Sequence, residues 1–329
     1  MAILQIENLR TSFHTDDGLV QAVRGVSYSV EEGEVVGIVG ESGCGKSVSM
    51  LSMLGLLPGT AKVEADAVRF MGENLLQLKK HELRKIQGSR IGMIFQDPMT
   101  SLNPVFTIGN QIMEPLKIHR RLHGNELKRE AISLLEQVGI PDAETRLSQY
   151  PFEFSGGMRQ RVMIAIAMAC NPPLLIADEP TTALDVTIQA QILELMKHIR
   201  DTRGTSIVLI THDLGVIAGM CSRVMVMYGG KIIEEATTDE IFYQTKHPYT
   251  QGLIRSLPNS KRSNQRLAPI PGAPPDLLSP PRGCPFVARC EHAMRICNQQ
   301  MPEKIRMSDT HQVSCWLHHS AAGKAVQHA

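Results

Sequence analysis

The chain has 329 residues, enough for a large core and more than one domain. Lys and Arg total 34 against 33 Asp and Glu, and this net charge of +1 gives no electrostatic footprint for nucleic acid. Aromatic residues make up 4% with a single Trp, which argues against base-stacking platforms.

The N-terminus, Met1-Ala2-Ile3-Leu4-Gln5, has no basic leader. The longest apolar run, about Val162 to Cys170, is far short of the ~20 residues a spanning helix needs. A soluble cytoplasmic protein is expected, with any membrane role left to partner subunits.

The first thirty residues alternate at Ile3, Ile6, Val20, Ala22, Val26, Tyr28 and Val30, broken by Thr15-Asp16-Asp17-Gly18. Period two with a central turn predicts a small antiparallel sheet with a hairpin. Phe13, before the turn, reads either as an edge-strand packing residue or as an adenine-stacking ring.

A short apolar run, Val35 to Val39, then leads into Gly40-Glu41-Ser42-Gly43-Cys44-Gly45-Lys46-Ser47, and a segment able to coil runs from Val48 to Leu57. This is the G-x-x-x-x-G-K-S pattern with a strand before it and a helix after it. The glycines let backbone N–H groups converge on a phosphate. Lys46 adds a point charge for the β- and γ-phosphates, and the Ser47 hydroxyl can ligate Mg²⁺. The positive end of the next helix faces the same anion. A nucleoside triphosphate is the expected ligand.

Lys62 to Phe70 reads as a strand pair, and Lys79 to Lys85 as a charged helical face. Ile91 to Phe95 is a buried strand ending in Gln96-Asp97-Pro98. From Thr107 to Gln149 the pattern is helical, with Ile108, Ile112 and Leu116 four apart and Ile132, Leu135 and Val138 at three-residue steps. Phe154-Ser155-Gly156-Gly157-Met158-Arg159-Gln160-Arg161 opens a mostly apolar helix to Cys170. Leu174 to Ala177 is a continuous apolar run of the kind found in covered parallel strands, and it ends in Asp178-Glu179-Pro180.

Ile188, Ile192, Leu195, Met196 and Ile199 mark the inner face of the next helix, closed near Gly204. Ser206 to Ile210 is another buried strand, ending in Thr211-His212-Asp213. Val224 to Tyr228 with Gly229-Gly230 reads as a hairpin. Strands alternating with helices imply an α/β core with a mainly parallel sheet.

Beyond Thr237 the character changes. His247-Pro248-Tyr249-Thr250 precedes a short helix, and seven prolines fall between Pro269 and Pro285, an extended, semi-rigid stretch. The tail from Ser320 is expected to fray. Cys44, Cys170 and Cys221 are scattered and read as small buried or loop residues. Cys284, Cys290, Cys297 and Cys315 crowd into the last fifth of the chain, which in a cytosolic protein points to metal or cluster binding before disulfides.

Asp178 and Glu179 come directly after an apolar strand, which puts both carboxylates at the carboxyl edge of the sheet, where open α/β folds bind ligands. The first can hold Mg²⁺ through water, and the second can polarise an attacking water. His212, at another strand end, can donate to a γ-phosphate or be a satisfied structural histidine.

In this order after the phosphate loop, Gln96, Ser155-Gly156-Gly157, Asp178-Glu179, Ala183-Leu184-Asp185 and His212 resemble the nucleotide-binding subunit of an ABC transporter over roughly residues 1 to 240. The resemblance implies that Phe13 stacks on adenine and that Gln96 touches Mg²⁺ and senses the membrane partner. It implies that Ser155-Gly156-Gly157-Met158 grips ATP held by an opposite subunit, and that Asp185 communicates across the dimer. Met158 stands where the family consensus has Gln. With Glu179 and His212 both present, hydrolytic competence is expected. An ABC ATPase without a membrane partner, or a P-loop kinase or GTPase, fits less well: the chain has one cassette, a short helical insertion and the signature motif.

Gln96 to Pro104 (Gln-Asp-Pro-Met-Thr-Ser-Leu-Asn-Pro) and His247-Pro248-Tyr249-Thr250 are similar to the dipeptide/oligopeptide import branch, which also includes nickel importers. The expected fold is α/β, a P-loop NTPase core with an antiparallel β subdomain, a helical insertion and a Pro/Cys-rich C-terminal extension. Residues 1–240 are expected to form the ATPase domain, with its helical subdomain at about 97–158, and 241–329 the extension. ATP and Mg²⁺ are the implied cofactors.

The implied partners are two permease subunits, a second and paralogous ABC ATPase, and an extracytoplasmic peptide-binding protein; no nucleic acid is expected. The expected location is the cytoplasmic face of the cell membrane. The implied solute is a dipeptide or oligopeptide, with nickel or another small solute as the alternative. The irregular Cys-x5-Cys-x6-Cys-x17-Cys spacing lacks a Cys-x2-Cys knuckle and suits a [4Fe–4S] cluster, with zinc or free thiols as alternatives.

Overall fold

The computed structural model describes residues 1–182, 184–257 and 269–319; the expected frayed tail and Ala183 lie outside them. Its contacts divide the chain into two compact units that do not follow chain order.

The first unit holds Met1–Leu4, Val30–Val35 and Phe70–Ile210. Its centre is three parallel strands, Ile91–Ile94, Leu174–Asp178 and Ser206–Thr211, with Ile91 opposite Leu174 and Leu174 opposite Ser206. Every residue of the latter two strands is buried. A strand covered on both faces has no polar face to alternate, which explains the unbroken apolar runs. Phe95 falls outside its expected strand and is exposed.

Between the first two strands lies the helical insertion, with its main helices at Ile108–His119, Gly124–Gln137 and Gly156–Met168. Ile108, Ile112 and Leu116 are buried as their spacing predicts. On Gly124–Gln137 the buried face is Leu127, Ala131, Leu134 and Leu135, while Ile132 is only half-buried. The stripe runs at i, i+4, i+7 and i+8 through a small alanine.

The helix Val186–Arg203 buries Ile192, Met196 and Ile199, with Ile188 and Leu195 at its margin. It stops at Gly204, whose φ of 65° places it in the left-handed region.

The second unit holds Gln5–Ser29, Val36–Arg69 and the chain from Thr211 onward. The strands Ala2–Thr15 and Gly18–Glu31 form the expected hairpin. Ala61–Glu64 and Ala67–Phe70 are not a pair with each other. Ala61–Glu64 lies antiparallel to Arg10–Phe13, and Asp66 N–H donates to Glu7 O farther along the same long strand. One fourteen-residue strand is long enough to take two short neighbours end to end on one edge.

Val36–Val39 runs parallel to Arg223–Val226, and that strand turns at Gly229-Gly230 into Lys231–Thr237. Both turn glycines have positive φ, as a tight two-residue hairpin requires. Two short strands near the end of the described residues, Gln312–Val313 and Ile305–Arg306, continue this sheet. His247 caps the helix Pro248–Arg255, its Nδ1 accepting Tyr249 N–H at 3.1 Å. Among the described residues no helix is long and apolar enough to cross a membrane.

Candidate active site

The phosphate loop begins after the buried strand Val35–Val39 and ends at Lys46, where the helix Lys46–Met53 begins, two residues earlier than its apolar pattern. Two of its glycines have a steric reason. A Cβ on Gly40 would stand 2.1 Å from Met227 O, and one on Gly45 would stand 2.3 Å from Ala22 O at a φ of +97°. Lys46 is buried at 5% exposure, and its ammonium donates to Gly40 O at 2.8 Å and Glu41 O at 3.0 Å. A buried ammonium needs acceptors, and the loop's own carbonyls supply them. Cys44 is buried against the loop, and burial raises its thiol pKa.

Phe13 and His212 fall in the same unit as the loop. Phe13 is half-buried opposite Ala61, and His212 is exposed just past the strand Ser206–Thr211.

Gln96, Ser155–Met158, Asp178, Glu179 and Asp185 fall in the other unit. Asp178 is buried at the end of its strand, opposite Ile210. The chain turns sharply at Glu179, which has φ of 47° without being glycine; its N–H is held by Ile210 O at 2.8 Å. Such a backbone stores strain that the surrounding bonds must hold. Glu179 Oε2 accepts both Gln96 Nε2–H and Thr182 Oγ–H at 2.9 Å. The structure thus brings together the two residues expected to act on water and metal, and adds Thr182, which no pattern in the sequence marks.

Ser155 caps the helix Gly156–Met168, its Oγ accepting Met158 N–H at 3.3 Å, and both Ser155 and Gly156 are exposed. Asp185 caps Val186–Arg203 in the same way, accepting Ile188 N–H at 3.0 Å. A Cβ on Gly157 would stand 2.9 Å from Ile188 Cγ2, so the glycine lets the two helix starts meet.

Cys284, Cys290, Cys297 and Cys315 line one cavity of about 10 Å³, together with His247 and Trp316. Cys297 O accepts Cys284 N–H at 2.8 Å, and Cys297 Sγ accepts Met294 N–H at 3.4 Å. Burial pushes the Cys284 thiol up to about 12 and the Cys315 thiol to about 11. The cavity has room for about one water. Among the described residues no group of three or more His, Cys, Asp or Glu side chains is placed to hold a metal ion. The thiols converge as their crowding in the sequence predicts, but as arranged they do not fit a cluster or zinc.

A glycine loop around a buried lysine after a parallel strand, together with a strand that ends in paired carboxylates, defines the class: a P-loop ATPase. The family model "ABC transporter" matches residues 23–182, and "Oligopeptide/dipeptide transporter, C-terminal region" matches residues 233–297. The chain is 53% identical to the dipeptide transport ATP-binding protein DppD of Bacillus subtilis, over 98% of this chain and 97% of that protein. It is 48% identical to the oligopeptide transport ATP-binding protein OppD of Escherichia coli, over 92% and 89%. Among solved structures, the dimeric bacterial ABC transporter cassette MJ0796 matches with a TM-score of 0.64 at 30% identity, covering 71% of this chain and 98% of that one. The chain belongs to the ABC transporter ATPases, in the branch of dipeptide and oligopeptide transport ATP-binding proteins.

Proposed function

We propose that this chain powers the import of dipeptides or oligopeptides by hydrolysing ATP for partner permease subunits at the cytoplasmic face of the cell membrane. The observation that carries the reading is the match to both parts of the chain, the cassette and the C-terminal region particular to peptide transporters. The relatives' names favour peptides over nickel or another small solute.

In this reading Gly40 to Ser47 cradles the phosphates, Lys46 moves from its carbonyls to the β- and γ-phosphates, and Phe13 stacks on adenine. Ser47, Gln96 and Asp178 serve Mg²⁺, Glu179 orients the attacking water, and His212 donates to the γ-phosphate. ATP and Mg²⁺ supply the transferred group and the charge that neutralises it; the chain supplies position. Ser155 to Met158 serves the ATP of a second ATPase subunit, a paralogue, and Asp185 signals between the two.

The permease contact is supported by the segment around Gln96, where Phe95, Met99, Val105 and Phe106 are all at least 40% exposed. Four large apolar side chains left exposed within twelve residues of chain favour a protein contact there. Domain boundaries of 1–240 for the ATPase, with a helical subdomain at about 97–158, and 241–329 for the extension complete the proposal.

The test is co-purification of the complex with its permease subunits and uptake of defined peptides into vesicles. Uptake that needs ATP and follows the peptide supports the reading; nickel uptake without peptide uptake overturns it. A narrower reading is that Cys284, Cys290, Cys297 and Cys315, which line one cavity, hold a [4Fe–4S] cluster after their side chains rearrange, with zinc or free thiols as the alternatives. A colourless protein without iron after anaerobic purification would sink the cluster.

A further inference from the structure

Glu41, the second residue of the phosphate loop, is held on three sides. Its carbonyl receives Lys46 Nζ at 3.0 Å. Its N–H donates to the Tyr249 hydroxyl at 2.9 Å, and its carboxylate Oε2 receives Arg289 Nη1–H at 2.7 Å. The last two partners come from the C-terminal part of the chain, 208 and 248 residues away in sequence.

Both partners are fixed. Tyr249 is fully buried, and the Arg289 side chain is 5% exposed. Arg289 Nε donates to Pro271 O at 2.8 Å, Nη2 to Ile270 O at 3.0 Å, and Nη1 also to the Tyr228 hydroxyl at 3.1 Å. Its guanidinium lies 5.8 Å and 5.9 Å from the ring centroids of Tyr228 and Phe286. The rings of Tyr228, Tyr249 and Phe286 pack on one another with centroids 4.5 to 5.3 Å apart. A planar fork with its donors committed and its faces against rings is a rigid post.

The three holds differ in what a nucleotide does to them. When Lys46 turns its ammonium toward a phosphate, its bonds to the carbonyls of Gly40 and Glu41 weaken, which loosens one hold on the Glu41 peptide at the moment its neighbours' N–H groups must point at the phosphates. The bonds to Tyr249 and Arg289 do not compete with phosphate and persist.

We propose that Arg289 and Tyr249 are positioning residues of the ATP site, supplied by the C-terminal part of the chain, which keep the Glu41 turn of the phosphate loop in its anion-binding shape when Lys46 turns to the phosphates. The extension is then part of the nucleotide site as well as a family-specific appendage. The proposal rests on ATP binding alone and is independent of which solute is carried.

The test uses the full chain. Mg·ATP affinity is measured by titration with a fluorescent ATP analogue, and steady-state ATPase is measured in the purified complex, for Arg289→Ala, Arg289→Lys, Glu41→Ala, the Arg289→Ala/Glu41→Ala double variant and Tyr249→Phe. Arg289→Ala and Glu41→Ala each weaken binding about tenfold, as expected for a lost charge-assisted bond. The double variant loses no more than either single one, because both remove the same bond. Arg289→Lys recovers part of the affinity, and KM for ATP rises while kcat stays within about twofold.

Glu41→Ala keeps the test decisive if Arg289→Ala fails to fold. Losses that multiply in the double variant overturn the proposal. So does an Arg289→Ala chain that melts at a lower temperature with unchanged ATP affinity, or a Glu41→Ala chain that binds ATP normally.

Discussion

Gln96 donates its side-chain amide to the Glu179 carboxylate at 2.9 Å, although 83 residues separate the two in the chain. Thr182 donates to the same carboxylate oxygen, and Glu179 sits on a left-handed backbone held by Ile210 O. A group aimed so firmly, at the end of a buried strand, is poised for one task. If that task is orienting water, Glu179→Gln keeps the shape and an acceptor for both donors and loses only the charge. ATPase activity of the complex falls about 10²- to 10⁴-fold, the range for a lost general base, while ATP remains bound. Phosphate release and retained nucleotide check this; normal turnover would remove Glu179 from the role.

Gly157 is set by packing. An added methyl stands 2.9 Å from Ile188 Cγ2, and a helix start has little room to retreat. Gly157→Ala is expected to cost about 1–3 kcal/mol of stability, the usual range for overpacking. Urea unfolding measures it, and adding Ile188→Ala should return most of the loss. A double variant no more stable than the single one would place the cost in the backbone.

Glu234 is buried and gathers four donors: His311 Nε2 at 2.8 Å, Lys246 N–H at 2.6 Å, and His247 N–H and Thr245 Oγ–H, both at 3.1 Å. These bonds fasten the approach to the helix that carries Tyr249. Burial alone would raise its carboxyl pKa, but the bonds from His311 and the Lys246 and His247 N–H groups prevail and lower it. Glu234→Ala leaves buried donors unpaired and is expected to destabilise the chain by about 3 kcal/mol, read as a lower denaturant midpoint.

Lys231 gives a pH signature. Burial first, and then the charges of Arg24 and Arg10, bring its ammonium down to about 8, while its Nζ donates to Arg24 O at 2.9 Å. Below pH 8 the folded and unfolded chains both hold this proton. From about 8 up to the ordinary lysine value of 10.5, the unfolded chain holds a proton that the folded chain has released. Stability from this group therefore rises with pH across that window. Thermal melts from pH 7 to 10.5 should show a smaller pH-dependent gain in Lys231→Met than in the parent chain.

Much of the site is local chemistry and is legible in the sequence. The phosphate loop, the Gly229-Gly230 turn, the Gly204 cap and the strand that ends in Asp178-Glu179 each occupy a few adjacent residues, and glycine, lysine and carboxylate spacing is all they need. The parallel strands are visible because full burial removes alternation. The buried face of Gly124–Gln137 departs from the expected three-residue steps because it runs through Ala131, too small to stand out in an apolar pattern. Ala61–Glu64 pairs with a different strand from the one expected because a strand's edge chemistry is the same whichever neighbour it meets.

Residue types and their spacing along the chain determined the ligand class and the α/β core, and the motifs that they form carry the resemblance to the peptide-transport branch. Only the tertiary structure decided that Arg289 and Tyr249 hold Glu41, that Thr182 shares Glu179 with Gln96, and that the four crowded cysteines line one cavity. The reason is physical. Periodicity records contacts three, four or two residues apart, whereas a bond across 248 residues leaves no pattern in the chain and exists only once the core has brought its ends together.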